Sequence, residues 1–198
     1  MNAGGIRWLV AALALLCAGA ASAQVVNPLS LLGRAITTAA DVRTAEEVKN
    51  DLAIAADANR RLADDRQAEW KGVSLLVFAQ HVVLAGTVHG DEARKRVAVV
   101  VSQDRRVRSL KNELVVLRKG GDEGSFVGDT VIEEKVNVAL TAAKGVGSIN
   151  MRWKSVNGNL VIMGVARSKQ EAGLALKEAR SVTGVKSVKS HVRVVAQK

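Results

Sequence analysis

Adjacent carboxylates and three histidines are the residues of this sequence whose types could support acid–base or metal chemistry. Asp64-Asp65 and Glu133-Glu134 are neighbours in the chain, and neighbours on a helix point apart instead of converging on one substrate. The histidines have neither metal-ligand spacing nor a cysteine or carboxylate partner nearby, and they are His81, His89 and His191. We therefore predict no catalytic residue, no metal site and no cofactor, and the protein is not expected to be an enzyme.

Basic residues near the carboxyl end form the one pattern that points to binding. Lys189 and Arg193 alternate with valines, and Arg152 and Lys154 flank a tryptophan in the same way. Successive side chains of a strand point to opposite faces, so the cations share the face away from an apolar core. Each lysine or arginine near anionic lipid contributes about 1 kcal/mol of binding. These four residues predict a cationic sheet face for anionic phospholipid, and the alternative is a basic surface without a ligand.

The elements that would position these residues occur twice in the chain. The pattern Asp-x-x-Ile-x-x-x-x-Asn-x-x-Leu begins at Asp51 and again at Asp129, 78 positions later. Six further identities keep this offset, so a unit of 66 residues, 51–116, returns as 129–194. An internal repeat at fixed spacing predicts two copies of one structural unit.

Helix signals are clearest in the second copy. Thr130-x-x-Glu133 and Ser168-x-x-Glu171 are capping boxes, and each precedes apolar residues at helical spacing. The pattern therefore predicts two amphipathic helices in this unit, which begin at these two boxes.

Hairpin signals lie between the two helices. Asn157-Gly158 predicts a tight turn because both residues readily adopt positive φ, and the first copy has Gln80-His81 at its predicted turn. Together with a last strand, the order is α-β-β-α-β in each unit. We predict an α+β fold in which two helices cover one face of a three-stranded mixed sheet.

Both strands of the first hairpin are apolar on both faces. Leu75–Phe78 and Val82–Leu84 are consecutive apolar runs, and a strand with two apolar faces should be covered on both sides. We predict that the open face of this sheet docks against the second unit, the segment Val25–Leu32 or another chain.

The amino end has the pattern of an export signal. Arg7 precedes an apolar run, and Ala21-Ser22-Ala23 predicts cleavage between Ala23 and Gln24. The large residue Leu16 precedes Cys17, so a lipoprotein anchor is not expected. The predicted organisation is a signal peptide (1–23), a lead-in (24–50), a first domain (51–117), a glycine-rich linker (118–128) and a second domain (129–196).

Charge is concentrated in the second unit. The chain has a net charge of +10, to which the second repeat contributes +6 and the first +2. Nucleic acid is not the expected partner, because export removes the protein from the cytoplasm. Aromatic residues, at 3% with no tyrosine, also supply few stacking platforms for bases.

The repeated αββαβ pattern resembles BON domains, small modules of bacterial envelope proteins. The resemblance covers both repeats and includes Gly86-Thr87-Val88 and Gly164-Val165-Ala166 at the end of the hairpins, and Gly184-Val185-Lys186 before the last strand. The lead-in Asp41-Val42-Arg43-Thr44 is similar to that of dual-BON outer-membrane lipoproteins. Those proteins bind anionic phospholipid, whereas a soluble periplasmic member is osmotically inducible and associated with chaperone activity.

The resemblance implies a second candidate surface for lipid. In the lipid-binding members it is the first helix of the second unit, which begins with an aromatic residue; the corresponding residues here are Val131 and Lys135. The sequence leaves the sheet face and this helix face as alternatives.

We therefore expect a non-enzymatic periplasmic protein of envelope maintenance that binds the anionic phospholipid surface peripherally through its second unit. A position at the outer membrane and contacts with other envelope proteins are further implications of the resemblance. The alternative function is a soluble periplasmic chaperone that binds unfolded clients through apolar surface of the first unit.

Overall fold

A computed structural model describes residues 40–117 and 126–195 of the chain. The predicted signal peptide with its cleavage site, the lead-in up to residue 39 and linker residues 118–125 lie outside the described residues. Within the two described ranges, no helix combines the length and apolar character that crossing a membrane requires.

The first unit is a mixed sheet with two helices. β1 (Val73–Phe78) pairs antiparallel with β2 (His81–Val88), and β2 pairs in parallel with the last strand, which is interrupted and forms two short segments. In chain order the elements are α1 (Ala45–Asp64), β1 (Val73–Phe78), β2 (His81–Val88), α2 (Asp91–Ser102), β3 (Ser109–Asn112) and β4 (Val115–Val116).

The second unit repeats this topology with an uninterrupted last strand. β5 (Met151–Val156) pairs antiparallel with β6 (Asn159–Ala166), and β6 pairs in parallel with β7 (Ser187–Val194). Its elements are α3 (Phe126–Ala142), a 3-10 turn (Ser148–Asn150), β5 (Met151–Val156), β6 (Asn159–Ala166), α4 (Lys169–Ser181) and β7 (Ser187–Val194). The predicted α+β fold of two tandem αββαβ units is confirmed.

The first helix of each unit begins earlier than the sequence pattern predicted. Thr44 caps α1 because its side chain accepts from Glu47 N at 3.1 Å while Glu47 Oε2 accepts from Thr44 N at 3.1 Å. Thr130 lies inside α3, so the capping box predicted there is wrong, and Glu133 instead accepts from Ser155 N. The cap predicted at Ser168 is confirmed, since its Oγ accepts from Glu171 N at 3.0 Å.

Both hairpins turn through two residues with positive φ. Asn157 and Gly158, at φ 55° and 79°, form the predicted turn of the second unit. In the first unit Phe78 pairs with His81, so the turn residues are Ala79 and Gln80, one position earlier than predicted. Their φ values are 50° and 64°, a region that is costly for residues other than glycine and asparagine.

The first residue of the repeat holds these turns. Asp129 accepts from Asn157 N at 2.7 Å and from Gly158 N at 2.9 Å. Asp51 accepts from Ala79 N at 2.8 Å and Gln80 N at 2.6 Å. A helix residue therefore fixes the hairpin of its own unit in both copies, which explains why the aspartate is repeated.

Three apolar clusters stabilise the two units. Each unit has a core between its helices and one face of its sheet, with Leu84 and Ile162 fully buried at the centres. The third cluster lies between the two sheets and contains Leu76, Phe78, Ala79, Val83, Ala85, Val161, Met163 and Val165. The first sheet is thus covered on both faces, as predicted, and of the three predicted covers it is the second unit that packs against its open face.

Candidate functional site

The sheet face predicted to be cationic and open is covered by the first unit. Arg152 is 7% exposed, and its Nη1 donates to the carbonyl oxygens of Ile149 at 2.9 Å and Met151 at 2.7 Å. Its guanidinium lies 5.4 Å from the centre of the Phe78 ring across the inter-unit contact. The prediction that Arg152 lies on an open face is wrong, because the apolar face of the first sheet packs there.

Two of the other cations of that face form ion pairs with carboxylates. Lys154 Nζ lies 2.9 Å from Glu133 Oε1 at the edge of β5, and Lys189 Nζ lies 2.6 Å from Glu113 Oε2 of the first unit. Lys189 and Arg193 remain exposed at the side of β7, so they are the part of the predicted sheet-face site that solvent still reaches.

Arg193 also faces the first unit. Partial burial of the otherwise exposed side chain lowers the pKa of this guanidinium from its ordinary value, and the charges of Glu47, Arg108 and Asp51 act on it from the first unit. The four predicted cations do share one side of the sheet, and two of them, Lys154 and Lys189, form ion pairs with protein carboxylates.

Glu113 links the two units by charge, and we expect it to make stability depend on pH. Burial alone would raise its pKa, but hydrogen bonds and charge from Lys189 and His191 hold the pKa below the ordinary value. Glu113 therefore contributes to the free energy of unfolding above about pH 4.3, and this contribution is lost as the pH falls through the lower folded pKa. We expect Glu113→Gln to lower the free energy of unfolding by about 1 kcal/mol at pH 7, with a smaller difference at pH 3, as measured by urea unfolding.

A control separates this ion pair from general charge effects. Glu92→Gln removes an exposed carboxylate paired with Lys95 on α2, and we expect a change within about 0.5 kcal/mol at both pH values. Equal losses for Glu113→Gln at pH 7 and pH 3 would contradict the assignment.

Two histidines have carboxylate partners that the sequence did not indicate. His191 Nε2 lies 2.9 Å from Glu113 Oε1, and His89 Nδ1 lies 2.8 Å from Glu69 Oε2. The expectation that they have no carboxylate nearby is wrong, since these partners are distant in the sequence.

The helix face of the second unit is open. Ile132, Val136 and Leu140 of α3 turn toward the core, and the opposite side of the helix carries Val131 and Val138, which are 48% and 60% exposed. Lys135 is exposed between these two valines, one turn from each. This stripe combines exposed apolar side chains with a cation on one surface.

Further exposed cations belong to the helical layer. The ion pairs of the second unit within the described ranges use Lys154, Lys189 and His191, and the exposed cations of the helical layer face solvent. In or next to α3 and α4 these are Lys135, Lys144, Lys169, Lys177, Arg180 and Lys186. We define the helical-layer surface as these six cations with Val131 and Val138.

Sequence reasoning named only part of this surface. Val131 and Lys135 were predicted from the resemblance to known proteins, whereas Val138 and the cations of α4 were missed. The signal was available, because residues 131, 135 and 138 follow the i, i+4, i+7 spacing on the side opposite the core stripe.

Two tandem units of this topology define a protein of repeated small α+β modules. The sequence matches the family of BON domains over residues 50–118 and 128–196. The chain therefore belongs to the BON domain family and contains two copies of that domain.

Two curated proteins are similar to most of the chain. The "Uncharacterized protein in gshII 5'region" of Anaplasma centrale is 27% identical over 145 residues, which are 73% of this chain and 95% of that protein. Osmotically-inducible protein Y of Escherichia coli (strain K12) is 26% identical over 145 residues, which are 73% of this chain and 72% of the relative.

Among solved structures, a similar one is CdsD, a structural protein of the type III secretion system of Chlamydia trachomatis. It is 16% identical, with a TM-score of 0.32, and the match covers 75% of this chain and 65% of that one. This chain thus spans slightly less than two thirds of that structure.

Proposed function

We propose that the protein is a non-enzymatic, periplasmic protein of envelope maintenance that binds anionic phospholipid peripherally. The surface that would do so is the helical-layer surface of the second BON domain. The sheet face is the weaker candidate because Arg152 is buried and Lys189 is paired with Glu113.

The observation that carries this proposal is the pairing of exposed valines with unshielded cations on one side of the second domain. Lysines near an anionic membrane each contribute about 1 kcal/mol, and exposed apolar side chains can enter the boundary between headgroups and acyl chains. Val131 and Val138 are among the exposed large apolar residues of the described chain, and Lys135 lies between them. Cations attract the domain to the surface, and the valines then add contact with lipid.

We expect the protein to float together with phosphatidylglycerol vesicles at low salt and to remain unbound at high salt. Interactions between exposed charges are screened within about 10 Å at 0.1 M salt, so binding through cations weakens as salt rises. Vesicles of phosphatidylcholine, which carry no net charge, should not retain the protein. No association with phosphatidylglycerol at low salt would contradict the proposal.

Matched variants locate the binding surface. Lys135→Glu replaces a positive charge on the helical layer with a negative one, a change of about two charge units. We therefore expect vesicle affinity to fall by about 2 kcal/mol, or roughly 30-fold. Lys49→Glu makes the same change at an exposed position of α1 in the first unit and should have little effect. Val138→Ser should weaken binding, whereas Val99→Ser at the similarly exposed position of α2 should not. Loss of binding only with Lys189→Glu/Arg193→Glu would instead assign the lipid site to β7.

A soluble periplasmic chaperone is the second candidate function. The similarity to an osmotically inducible protein favours a role under stress. However, the apolar sheet face of the first unit lies in the inter-unit cluster, so clients could reach it only after the two units separate. Suppression of aggregation that is independent of salt, without vesicle binding, would favour this candidate.

A further inference from the structure

Residues 40–43 lie across the two units, and we call this segment the strap. On the second unit, the strap is recognised through its backbone. Asn150 Nδ2 donates to Ala40 O at 2.9 Å, and Asn150 Oδ1 accepts from Val42 N at 3.0 Å. Arg167 Nη2 also donates to Ala40 O at 2.9 Å. The buried side-chain amide of Asn150 therefore bonds to one carbonyl and one N–H group of the strap's backbone, and this contact does not depend on the strap's side chains.

On the first unit, the strap is held by its arginine. Arg43 has a side chain only 2% exposed, and it contacts Asp41 Oδ2 at 2.6 Å and Asp51 Oδ2 at 3.0 Å. Its guanidinium lies 4.4 Å from the centre of the Phe78 ring. Asp51 is the same carboxylate that holds the hairpin turn, so the strap is tied to the centre of the first unit.

The charges of the strap extend to the second unit. Burial alone would raise the pKa of Asp41, but hydrogen bonds and charge from Arg43, with the charge of Arg152, hold the pKa below its ordinary value. Arg43 and Arg152 both approach Phe78, one from the strap and one from the second sheet. A buried charge cluster of this kind is costly if one partner is removed, because the remaining charge is left unpaired.

The strap site is particular to the second unit. At the offset of 78 positions, Asn150 corresponds to Gly72 and Arg167 corresponds to His89. Gly72 has no side chain with which to bind a peptide backbone, so the first unit lacks this amide. The two copies have therefore diverged at the residues that receive the strap.

We propose that the strap is a latch that holds the two BON domains together, with Arg43 and Asn150 as its positioning residues. When the strap is released, the sheets separate and expose the apolar cluster between them. The six largest side chains of this cluster are those of Leu76, Phe78, Val83, Val161, Met163 and Val165. The latch thus controls whether a large apolar surface is presented to solvent, independently of the helical-layer surface.

The separation of the two domains can be measured as a distance in the full chain. Spin labels at Val99→Cys and Lys177→Cys lie on exposed helix positions, one in each unit. The background carries Cys17→Ser, because Cys17 is the only cysteine of the sequence. Electron–electron double resonance then reports the distribution of distances between the domains, and bis-ANS fluorescence reports exposed apolar surface.

We expect Arg43→Ala and Asn150→Ala each to increase the population of long distances by roughly tenfold or more and to raise bis-ANS fluorescence. Arg60→Ala, which removes an exposed arginine of α1 that pairs with Asp57, should match the parent chain. Far-UV circular dichroism should be retained in all three variants, which distinguishes separation of folded domains from unfolding.

Distance distributions of Arg43→Ala and Asn150→Ala that superimpose on the parent would overturn the proposal. If Arg43→Ala loses its far-UV signal, Asn150→Ala decides, since it removes only the backbone contacts and leaves every charge in place. A parental distribution for Asn150→Ala in that case would also overturn it.

Discussion

We expect Asp51→Ala to lower the free energy of unfolding by about 4 kcal/mol, and Asp129→Ala by about 3 kcal/mol. Each substitution leaves the two N–H groups of a hairpin turn without their carboxylate. The effect at Asp51 is larger for two reasons. Its turn uses Ala79 and Gln80 at positive φ, where glycine or asparagine is favoured, and its loss also removes one of the two carboxylates of Arg43.

Urea unfolding followed by circular dichroism measures both losses. Asp64→Ala, at an exposed position at the end of α1, serves as the control and should change stability by less than about 0.5 kcal/mol. Losses of similar size at Asp64 and Asp51 would contradict the role of the repeated aspartate in the turn.

The aspartate of the second unit should also give an acid-sensitive contribution. Burial alone would raise the pKa of Asp129, but hydrogen bonds from Ser155, Gly158 and Asn157 hold it below the ordinary value. A depressed folded pKa contributes stability above the unfolded pKa, about 3.9, which is lost as the pH falls through the folded value. The difference between the parent and Asp129→Asn should therefore be largest near neutral pH and shrink below about pH 3.

We expect Phe78→Ala to cost about 4 kcal/mol, the other large effect in this protein. The ring is fully buried in the cluster between the sheets, and the guanidinium groups of Arg43 and Arg152 approach it. The substitution removes apolar contact between the units and exposes both cations to a cavity. Unfolding in urea measures the loss, and Val99→Ala, at a half-exposed position, should cost less than about 1 kcal/mol.

A double-mutant cycle shows whether that loss is shared between the two units. Phe78 and Met163 belong to one apolar cluster but to different units, so their substitutions to alanine should couple by about 1 kcal/mol. Additive losses within about 0.3 kcal/mol would indicate that the two units are stabilised independently.

Local patterns in the sequence were sufficient for the order of the elements within each unit and for the strands of its hairpin. Both strands of the first hairpin lie 78 positions before those of the second. Val73–Phe78 corresponds to Met151–Val156, and His81–Val88 corresponds to Asn159–Ala166. Asn157-Gly158 predicted its turn because the backbone preference lies in those two residues. The Ala79-Gln80 turn was placed one position late, because its stabilisation comes from Asp51, which is 28 residues away from the first turn residue.

Tertiary structure was needed to decide which surfaces are free. The sequence predicted both an apolar open face on the first sheet and a cationic open face on the second, and the alternation that placed Arg152 and Lys189 on one side was correct. Yet the two faces cover each other, so the cationic one is not open. Alternation tells which side of its own sheet a residue occupies, but not what lies opposite.

The sequence by itself therefore determined two tandem α+β units, their strands and their family. The tertiary structure decided that the sheets face inward and that the helices of the second unit, with Val131, Lys135 and Val138, face outward. The physical reason is the separation of the interacting residues along the sequence, because turn preferences and periodicity act within about one element of the chain. The strap contact of Ala40 with Asn150 instead joins residues separated by 110 positions.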